Sequence, residues 1–250
     1  PDIQEFLVCP VGAGCIQDAL NANFEIHREV KKIIETKYPS FPGGKGDEGA
    51  WAPSINDDEA FDIVSSAIDN VSDRLGFKIL MGIDVAASSL WSASDNLYHY
   101  QQSGIVRNSN EQLEYLKNSI EKHNLLYVED PFHEDDMENF KLLTETVNSV
   151  LIVGDDLLVT NPARLEKAAS MKAGNAGILK VNQAGSLGEA LEFSKVAQER
   201  EYALITSHRS GDTCDSQIAH IALATGSVML KSGIVGGERV AKLNELLKID

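Results

Sequence analysis

The chain has 250 residues, of which 43% are hydrophobic and 24% are charged, and its formal net charge is −16 at pH 7. This size and composition predict one globular domain with a substantial core, and the negative charge argues against nucleic acid or an anionic membrane as a partner. No apolar run approaches the ~20 residues of a membrane span. The three cysteines have no metal-ligand spacing and, with no signal peptide visible, indicate a reduced, cytoplasmic protein.

The first third of the chain contains one predicted strand, two predicted helices and a long loop. Asp2–Val8 alternates into an apolar end and is predicted as a strand. Ile16–Lys37 has helical periodicity, and a second helix is predicted from an N-cap at Asn56 to about Leu75. Between the helices lies a Gly- and Pro-rich loop, Tyr38–Pro53. So long a loop within a compact domain is typical of a functional segment.

From residue 78 onward, short apolar strands alternate regularly with helices. The predicted strands are Lys78–Val85, Leu125–Glu129, Val150–Asp155, Gly177–Val181, Ala203–Ser207 and Val228–Ser232. The predicted helices are Asn110–His123, Met137–Asn148, Pro162–Met171, Ser186–Arg200, Asp215–Ala224 and Glu238–Leu247. Such alternation predicts a parallel sheet with helices on both faces.

With Asp2–Val8, this sheet has seven strands, whereas a closed (β/α) barrel needs eight. Either the sheet is open, or one strand lies before Pro1. We favour the second interpretation, because an incomplete barrel would expose two long apolar edges. We therefore predict an α/β fold, a TIM-like (β/α)8 barrel that is N-terminally incomplete in this chain, and one domain over residues 1–250.

A polar residue lies at the carboxyl end of each of the six later strands. These residues are Asp84, Glu129, Asp155, Lys180, His208 and Lys231. Catalysis in (β/α) barrels takes place at this end of the strands. Burying so much charge at one rim costs several kcal/mol per ion unless the charges are compensated, so we favour a functional site over six separate structural groups.

The three acids come from consecutive strands and would repel one another unless a cation lay between them. Ligation by oxygen alone suits Mg²⁺, and the alternative is that one or two acids pair with Lys180 or Arg209. Because side chains alternate along a strand, only one acid of each adjacent pair can face the mouth. We chose Glu129 and Asp155 over the residues that follow them.

The basic residues offer complementary chemistry across the mouth. Lys180 could extend its ammonium to water along an apolar stem, but beside a metal or a second cation it would have a lowered pKa and could act as a base. Lys231 could hold a substrate carboxylate. Arg209 and Ser210 suit a phosphate group, and the adjacent His208 could contact substrate or be a satisfied core histidine.

Eight segments, in this order and across the whole chain, resemble the enolase family. They are Gln4-Glu5-Phe, Gly46-Asp-Glu-Gly, Gly82-Ile-Asp84-Val-Ala-Ala-Ser, Val128-Glu-Asp-Pro-Phe, Gly154-Asp-Asp-Leu, Leu179-Lys-Val-Asn-Gln, Ser207-His-Arg-Ser-Gly and Glu238-Arg-Val-Ala-Lys. The resemblance implies a barrel of the enolase type, with a capping domain and a first barrel strand that this sequence lacks at its N-terminus. It also implies a cytoplasmic glycolytic enzyme that forms a dimer or a larger homo-oligomer.

The reaction implied by the resemblance is the Mg²⁺-dependent, reversible dehydration of 2-phospho-D-glycerate to phosphoenolpyruvate by a carbon–oxygen lyase. Lys180 would remove the proton next to the substrate carboxylate. Glu48, with Glu5 near it, would act as general acid on the leaving hydroxyl and would need a raised pKa. The remaining roles are metal ligation by Asp84, Glu129 and Asp155, and substrate binding by Lys231, His208, Arg209, Ser210, Glu5 and Gln4.

Two other interpretations remain open. Racemases and muconate cycloisomerases of the same superfamily have a Lys-x-Lys pair where this chain has Gln4-Glu5, and a purely structural or surface-binding barrel would not need the catalytic groups. The chain also departs from the family pattern at Gly49-Ala50-Trp51, where Gly-Gly-Phe is usual. None of the departures removes a group that we assign to chemistry.

Overall fold

The computed structural model describes residues 1–250 and contains ten strands and nine helices. The strands are β1 (Glu5–Cys9), β2 (Leu80–Asp84), β3 (Trp91–Ser92), β4 (Leu97–Tyr100), β5 (Ile105–Arg107), β6 (Tyr127–Glu129), β7 (Leu151–Gly154), β8 (Ala176–Leu179), β9 (Ala203–Ser207) and β10 (Met229–Lys231). The helices are α1 (Ile16–Lys37), α2 (Asp57–Leu75), α3 (Ser109–His123), α4 (Met137–Thr146), α5 (Pro162–Met171), α6 (Val181–Ala184), α7 (Leu187–Glu199), α8 (Gln217–Ala224) and α9 (Gly237–Ile249). None of these helices combines the length and the apolar character that a membrane span requires.

Seven strands form one curled sheet in the order β1-β2-β6-β7-β8-β9-β10. From β2 to β10 every neighbouring pair is parallel, which confirms the predicted α/β barrel architecture with an incomplete strand set. The edge strands are β1 and β10, and the helices that follow them, α1 and α9, pack against each other. The sheet therefore curls so that its two edges approach one another.

The first strand pair corrects the prediction of a wholly parallel sheet. β1 runs antiparallel to β2, with Glu5 opposite Asp84. The physical reason is that two packed helices, α1 and α2, connect these strands instead of one, and each added helix reverses the direction of the chain once more. As a result, the amino end of β1 lies beside the carboxyl ends of the other strands.

Local sequence explains where the elements begin and end. The side chain of Asn56 accepts a hydrogen bond from the backbone of Glu59, whose side chain bonds back to Asn56, so α2 begins with a capping box. The helix ends at Gly76, which has a left-handed backbone with a φ of 75°. At α5, Asn161 caps the first turn and Pro162 occupies the first helical position.

Two regions differ from the sequence prediction. A small antiparallel sheet, β3-β4-β5, occupies a segment for which no strands were predicted, because its strands are too short to show a periodic pattern. Strand β8 ends at Leu179, before Lys180, which is the N-cap of the short helix α6. The predicted strand extended to Val181, so Lys180 lies just beyond the sheet.

The core consists of three clusters of buried residues, the smallest of which joins α1 to α2. Its largest part, a cluster of 37 buried residues, includes side chains from the sheet and from the helices around it. A smaller cluster from the central strands contains Tyr127, Val153, Ala176, Ile178 and Ile205. Tyr127 shares a strand face with Glu129, two residues further on, so this second cluster is the apolar floor beneath the polar end of the sheet.

Candidate active site

The topology brings the predicted residues to one rim of the sheet. Glu5 begins β1, Asp84 ends β2, Glu129 ends β6, Asp155 follows β7, Lys180 follows β8, His208 follows β9 and Lys231 ends β10. We call this rim the mouth. Glu5 reaches it because β1 is antiparallel, and strand periodicity alone did not indicate that direction.

Lys231 lies among three carboxylates at the centre of the mouth. Its Nζ atom lies 2.6 Å from Glu129 Oε2, 2.8 Å from Asp84 Oδ2 and 3.1 Å from Glu5 Oε2. Burial opposes the charged form, but the charges of Glu129 and Asp84 hold the pKa of Lys231 well above its ordinary value. One ammonium faces three acids, so this part of the mouth keeps an excess of acidic groups.

Lys180 also faces an acid across the mouth. Its Nζ atom donates a hydrogen bond to Asp155 Oδ2, and its side chain is only 14% exposed. Its backbone N–H donates to Thr160 Oγ1 at 3.0 Å, which anchors the chain at the end of β8. Lys180 is therefore directed at Asp155 and not at open solvent. Both the metal-and-base interpretation and the alternative of an acid paired with Lys180 are compatible with this contact.

Two carboxylate oxygens in the mouth are buried and have no hydrogen-bond partner. They are Glu129 Oε1 and Asp155 Oδ1. A buried acceptor without a partner carries the full desolvation penalty, of about 1–3 kcal/mol. Burial raises the pKa of Glu129 well above its ordinary value, against the charge of Lys231, which lowers it. A cation bound by these two oxygens would supply the partner that each of them lacks.

A second carboxylate group overlaps the first at Asp155. Oxygens of Asp130, Asp155 and Asp156 lie within 4.8 Å of one another. Asp130 is buried, and its two oxygens accept from the backbone N–H groups of Asp155 at 3.0 Å and of Asp156 at 2.8 Å. Both oxygens of Asp130 are thus engaged in holding the backbone of its neighbours, whereas one oxygen of Asp155 is free.

Glu5 and Glu48 form a pair of acids in the mouth, and the residue of the pair that holds the proton is not the one predicted from the sequence. Glu48 and Glu5 are close enough to share a hydrogen bond, and His208 Nε2 lies 2.9 Å from Glu48 Oε2. Burial raises the pKa of Glu5 to about 7, although Lys231 opposes the shift. Burial also tends to raise the pKa of Glu48, but hydrogen bonds from His208 and Glu5 outweigh it and lower the pKa to about 2. The expected raised pKa of Glu48 is wrong, and Glu5 carries it instead.

This assignment predicts a pH-dependent stability that belongs to Glu5. The folded protein binds the proton of Glu5 more tightly than the unfolded chain, so the contribution is complete below pH ~4.5 and is lost as pH rises through ~7. We expect the free energy of unfolding to fall over that window by as much as ~3 kcal/mol. Urea titrations at several pH values should show a smaller fall in Glu5→Gln than in the wild type, and the part that remains belongs to other buried acids such as Glu129 and Asp130.

The matched control is Glu35→Gln on α1, whose side chain is 51% exposed. That variant should keep the wild-type pH dependence. A Glu5→Gln variant with the same slope as the wild type between pH 4.5 and 7 would contradict the assignment of the proton to Glu5.

The loop that carries Glu48 is fastened to α1 by two reciprocal contacts. His27 Nε2 lies 2.9 Å from Gly49 O, and Trp51 Nε1 donates to His27 O at 2.8 Å, with the two rings 4.8 Å apart. Gly49 has a φ of 88°, and a Cβ atom there would lie 2.6 Å from Val235 Cγ2, so glycine is required. These contacts hold the loop over the mouth.

The predicted phosphate-binding residues are only partly organised. Arg209 Nη1 donates to Asn182 Oδ1 at 3.0 Å, which places the guanidinium beside the turn that follows Lys180. Ser210 is exposed next to it. Gln4 is also exposed, and its side chain joins none of the hydrogen bonds of the mouth, so the structure does not bring it together with the other predicted residues.

Sequence reasoning missed two buried polar groups that hold the site. Tyr127 donates its hydroxyl hydrogen to Glu129 Oε2, and its position two residues before Glu129 on the same strand face could have indicated this. Arg239 in α9 is fully buried and hydrogen-bonds to His208. Arg239 lies in the segment Glu238-Arg-Val-Ala-Lys, but no pattern in the sequence links it to His208, 31 residues before it.

Comparison with known proteins gives a consistent result over the whole chain. Residues 1–250 match the family described as Enolase, C-terminal TIM barrel domain. The chain is 46% identical over 250 residues to the enolase of Methanothermobacter thermautotrophicus, covering 100% of this chain and 60% of the relative. It is also 46% identical to the enolases of Haloarcula marismortui over 250 residues and Pyrobaculum aerophilum over 249, covering 100% of this chain and 61% and 59% of those proteins. The chain thus spans about three fifths of the length of the curated relatives it matches.

Proposed function

Since the chain belongs to the enolase family, we propose that residues 1–250 are the catalytic barrel domain of an enzyme that reversibly dehydrates 2-phospho-D-glycerate to phosphoenolpyruvate. One observation carries this proposal. Lys180 Nζ is hydrogen-bonded to Asp155, and both Asp155 and Glu129, which ends the neighbouring strand, have a buried oxygen without a partner. Removal of a weakly acidic carbon-bound proton requires a base and a cation close to each other, and this rim offers a base and ligands for a cation.

The residues present fit a divalent cation. Asp84, Glu129 and Asp155 would hold it, since all three are carboxylates and two of them have a buried oxygen without a partner. Oxygen ligands alone favour Mg²⁺ over softer metals. When bound, it would supply positive charge to the substrate carboxylate as negative charge develops there. Asp130 would keep Asp155 in place through the backbone bonds described above.

Lys180 would take the proton next to the substrate carboxylate. As a free amine, Nζ has one lone pair to accept that proton, and its bond to Asp155 fixes where the amine points. Lys231 would bind the substrate carboxylate, because its ammonium is directed into the mouth and is almost fully buried. Exclusion of water around both lysines strengthens their electrostatic effect on the reacting group.

The departing hydroxyl would receive its proton from the Glu5–Glu48 pair. At neutral pH the two carboxyl groups differ in charge, because the pKa of Glu5 is about 7 and that of Glu48 about 2. The pair therefore carries a proton close to the pH at which it must be donated. Arg209, Ser210 and His208 would bind the phosphate side of the substrate, and Gln4 would contact substrate only if it turned toward the mouth.

We also propose that the protein is cytoplasmic and acts as a homo-oligomer, as the resemblance implies. Light scattering coupled to size-exclusion chromatography tests the second statement, and a monomer at micromolar concentration would reject it.

The proposed reaction predicts dependence on a divalent cation. In the natural polypeptide that contains these residues, we expect phosphoenolpyruvate to appear from 2-phosphoglycerate with Mg²⁺ present, as followed by ultraviolet absorbance. Exhaustive chelation with EDTA should abolish the reaction, and added Mg²⁺ should restore it. No product with Mg²⁺ would reject the proposed function, and full activity after chelation would remove the metal from it.

A further inference from the structure

Arg239 is a buried cation with no carboxylate hydrogen-bonded to it. It is fully buried, and the nearest carboxylate oxygens, Glu238 Oε1 and Asp212 Oδ2, lie 3.5 Å and 3.8 Å away. Buried arginines ordinarily pair with an acid. Here the guanidinium instead donates to an imidazole nitrogen and to three backbone carbonyls, so the surroundings of Arg239 call for a specific explanation.

The contacts of Arg239 join two segments that meet at the mouth. Nη1 lies 2.9 Å from His208 Nδ1 and also donates to Arg209 O. Nη2 donates to Ser210 O at 2.8 Å and to Asp47 O at 3.3 Å. One side chain from α9 therefore holds both the turn after β9 and the loop that carries Glu48. The carbonyl oxygens accept from Nη1 and Nη2, whereas Nε has no hydrogen-bond partner and neither of the two nearby carboxylates is hydrogen-bonded to the guanidinium.

The chemistry of guanidinium determines which nitrogen of His208 carries hydrogen. Arginine has only donors, so His208 Nδ1 must present its lone pair to Arg239. The backbone N–H of Gly233, 3.4 Å from the same nitrogen, is a second donor directed at it. The hydrogen of the neutral imidazole is then on Nε2, and that nitrogen lies 2.9 Å from Glu48 Oε2. Glu48 must accept this bond, as an ionised carboxylate does.

We infer that Arg239 is a positioning residue that fixes His208 as the neutral Nε2–H tautomer and thereby holds Glu48 as an oriented, hydrogen-bond-accepting carboxylate. In the other tautomer, Nε2 would direct a lone pair at Glu48 Oε2, and the bond would form only if Glu48 were protonated. Arg239 thus acts on the acid pair through His208 without contacting Glu48. This inference deepens the proposed function. The effect of Arg239 on catalysis rests on that function, but the tautomer of His208 does not depend on it.

The tautomer can be measured without any reaction. In ¹⁵N-labelled protein at neutral pH, two-bond ¹H–¹⁵N correlation spectra should show His208 with an unprotonated Nδ1 and a protonated Nε2. In Arg239→Met, which lacks the donors, we expect a mixture of tautomers at His208. His220, which is 58% exposed and bonded to Glu245, is the internal control and should not change. A protonated Nδ1 in the wild type, or an unchanged His208 in a folded Arg239→Met, would overturn the inference.

A second pair of variants decides the matter if Arg239→Met does not fold. His208→Gln places an amide N–H near the position of Nε2, and His208→Asn places an amide oxygen near that of Nδ1. The side-chain carboxyl ¹³C shift of Glu48 should stay that of an ionised acid down to low pH in His208→Gln. It should titrate at a higher pH in His208→Asn, and equal titration in both variants would contradict the proposed role.

Kinetics separate this inference from the proposed function. In the natural polypeptide, we expect Arg239→Met to lower dehydration by at least ~10²-fold, the low end for loss of acid catalysis, with little change in KM. Exchange of the substrate α-proton with solvent, which needs only Lys180 and the cation, should persist. If the wild type has the expected tautomer but shows neither dehydration nor exchange, the proposed function is rejected and the inference stands. If Arg239→Met loses exchange and dehydration equally, the positioning role is rejected.

Discussion

Replacing Lys180 by alanine should lower turnover by at least ~10²-fold and leave the protein folded. General bases typically contribute 10²–10⁴-fold, and Lys180 is the only amine that the structure directs at Asp155. The hydrogen bond from the backbone N–H of Lys180 to Thr160 Oγ1 does not involve the lysine side chain, so the end of β8 should keep its conformation. Steady-state kinetics in the natural polypeptide and circular dichroism provide the two measurements.

The exposed lysine at position 195 on α7 offers a matched control, because Lys195→Ala removes the same side chain far from the mouth. It should keep the wild-type rate. A loss of less than ~10²-fold in a folded Lys180→Ala, or an equal loss in Lys195→Ala, would show that Lys180 is not the base.

Replacing Lys231 by methionine should produce the largest loss of stability in the molecule. Lys231 is the one cation within 3.1 Å of Glu5, Asp84 and Glu129. Removing one partner of a buried ion pair typically costs about 3–5 kcal/mol, because it leaves buried charge without compensation. Urea unfolding at pH 7 measures the loss. The deficit should become smaller as the pH falls below 7, because Glu5, whose pKa is about 7, and Glu129, whose pKa burial raises well above its ordinary value, take up protons.

Lys248→Met at the end of α9 is the control, since its side chain is 71% exposed and its pairing with Glu245 contributes little. Addition of Mg²⁺ should recover part of the stability of Lys231→Met, because a cation bound by the same acids would replace the missing charge. Unchanged stability at pH 7 in Lys231→Met would mean that the three acids are already neutral, and the charge distribution described for the mouth would be wrong.

The residues at the ends of the parallel strands were predictable because two rules apply to them together. An apolar strand that ends in a charged residue stands out in a sequence, and the carboxyl ends of parallel strands meet at one rim. Asp84, Glu129 and Lys231 end their strands in the structure, and Lys180 lies one residue beyond β8. Strand periodicity does not carry direction, however, so the reversal of β1 and the arrival of Glu5 from its amino end were not predictable from it.

The charges of Glu5 and Glu48 could not be assigned from local sequence. The bond that lowers the pKa of Glu48 comes from His208, 160 residues further along the chain. The burial that raises the pKa of Glu5 results from the curl of the sheet, which brings Lys231 of the last strand to within 3.1 Å of Glu5. Both effects depend on contacts between distant segments. The roles assigned to these residues in catalysis remain predictions until the variants are measured.

The reversal of β1 determines where this fold can accept insertions and deletions during evolution. Because two helices separate β1 from β2, the chain passes the mouth between α1 and α2 in a connection that joins no strand. Gly43 and Gly44 in that connection have open space around them. Insertions or deletions at these glycines would alter neither the strand order nor the register of the sheet. The connection between α1 and α2 can therefore vary in length among related proteins, and change access to the mouth, while the barrel stays the same.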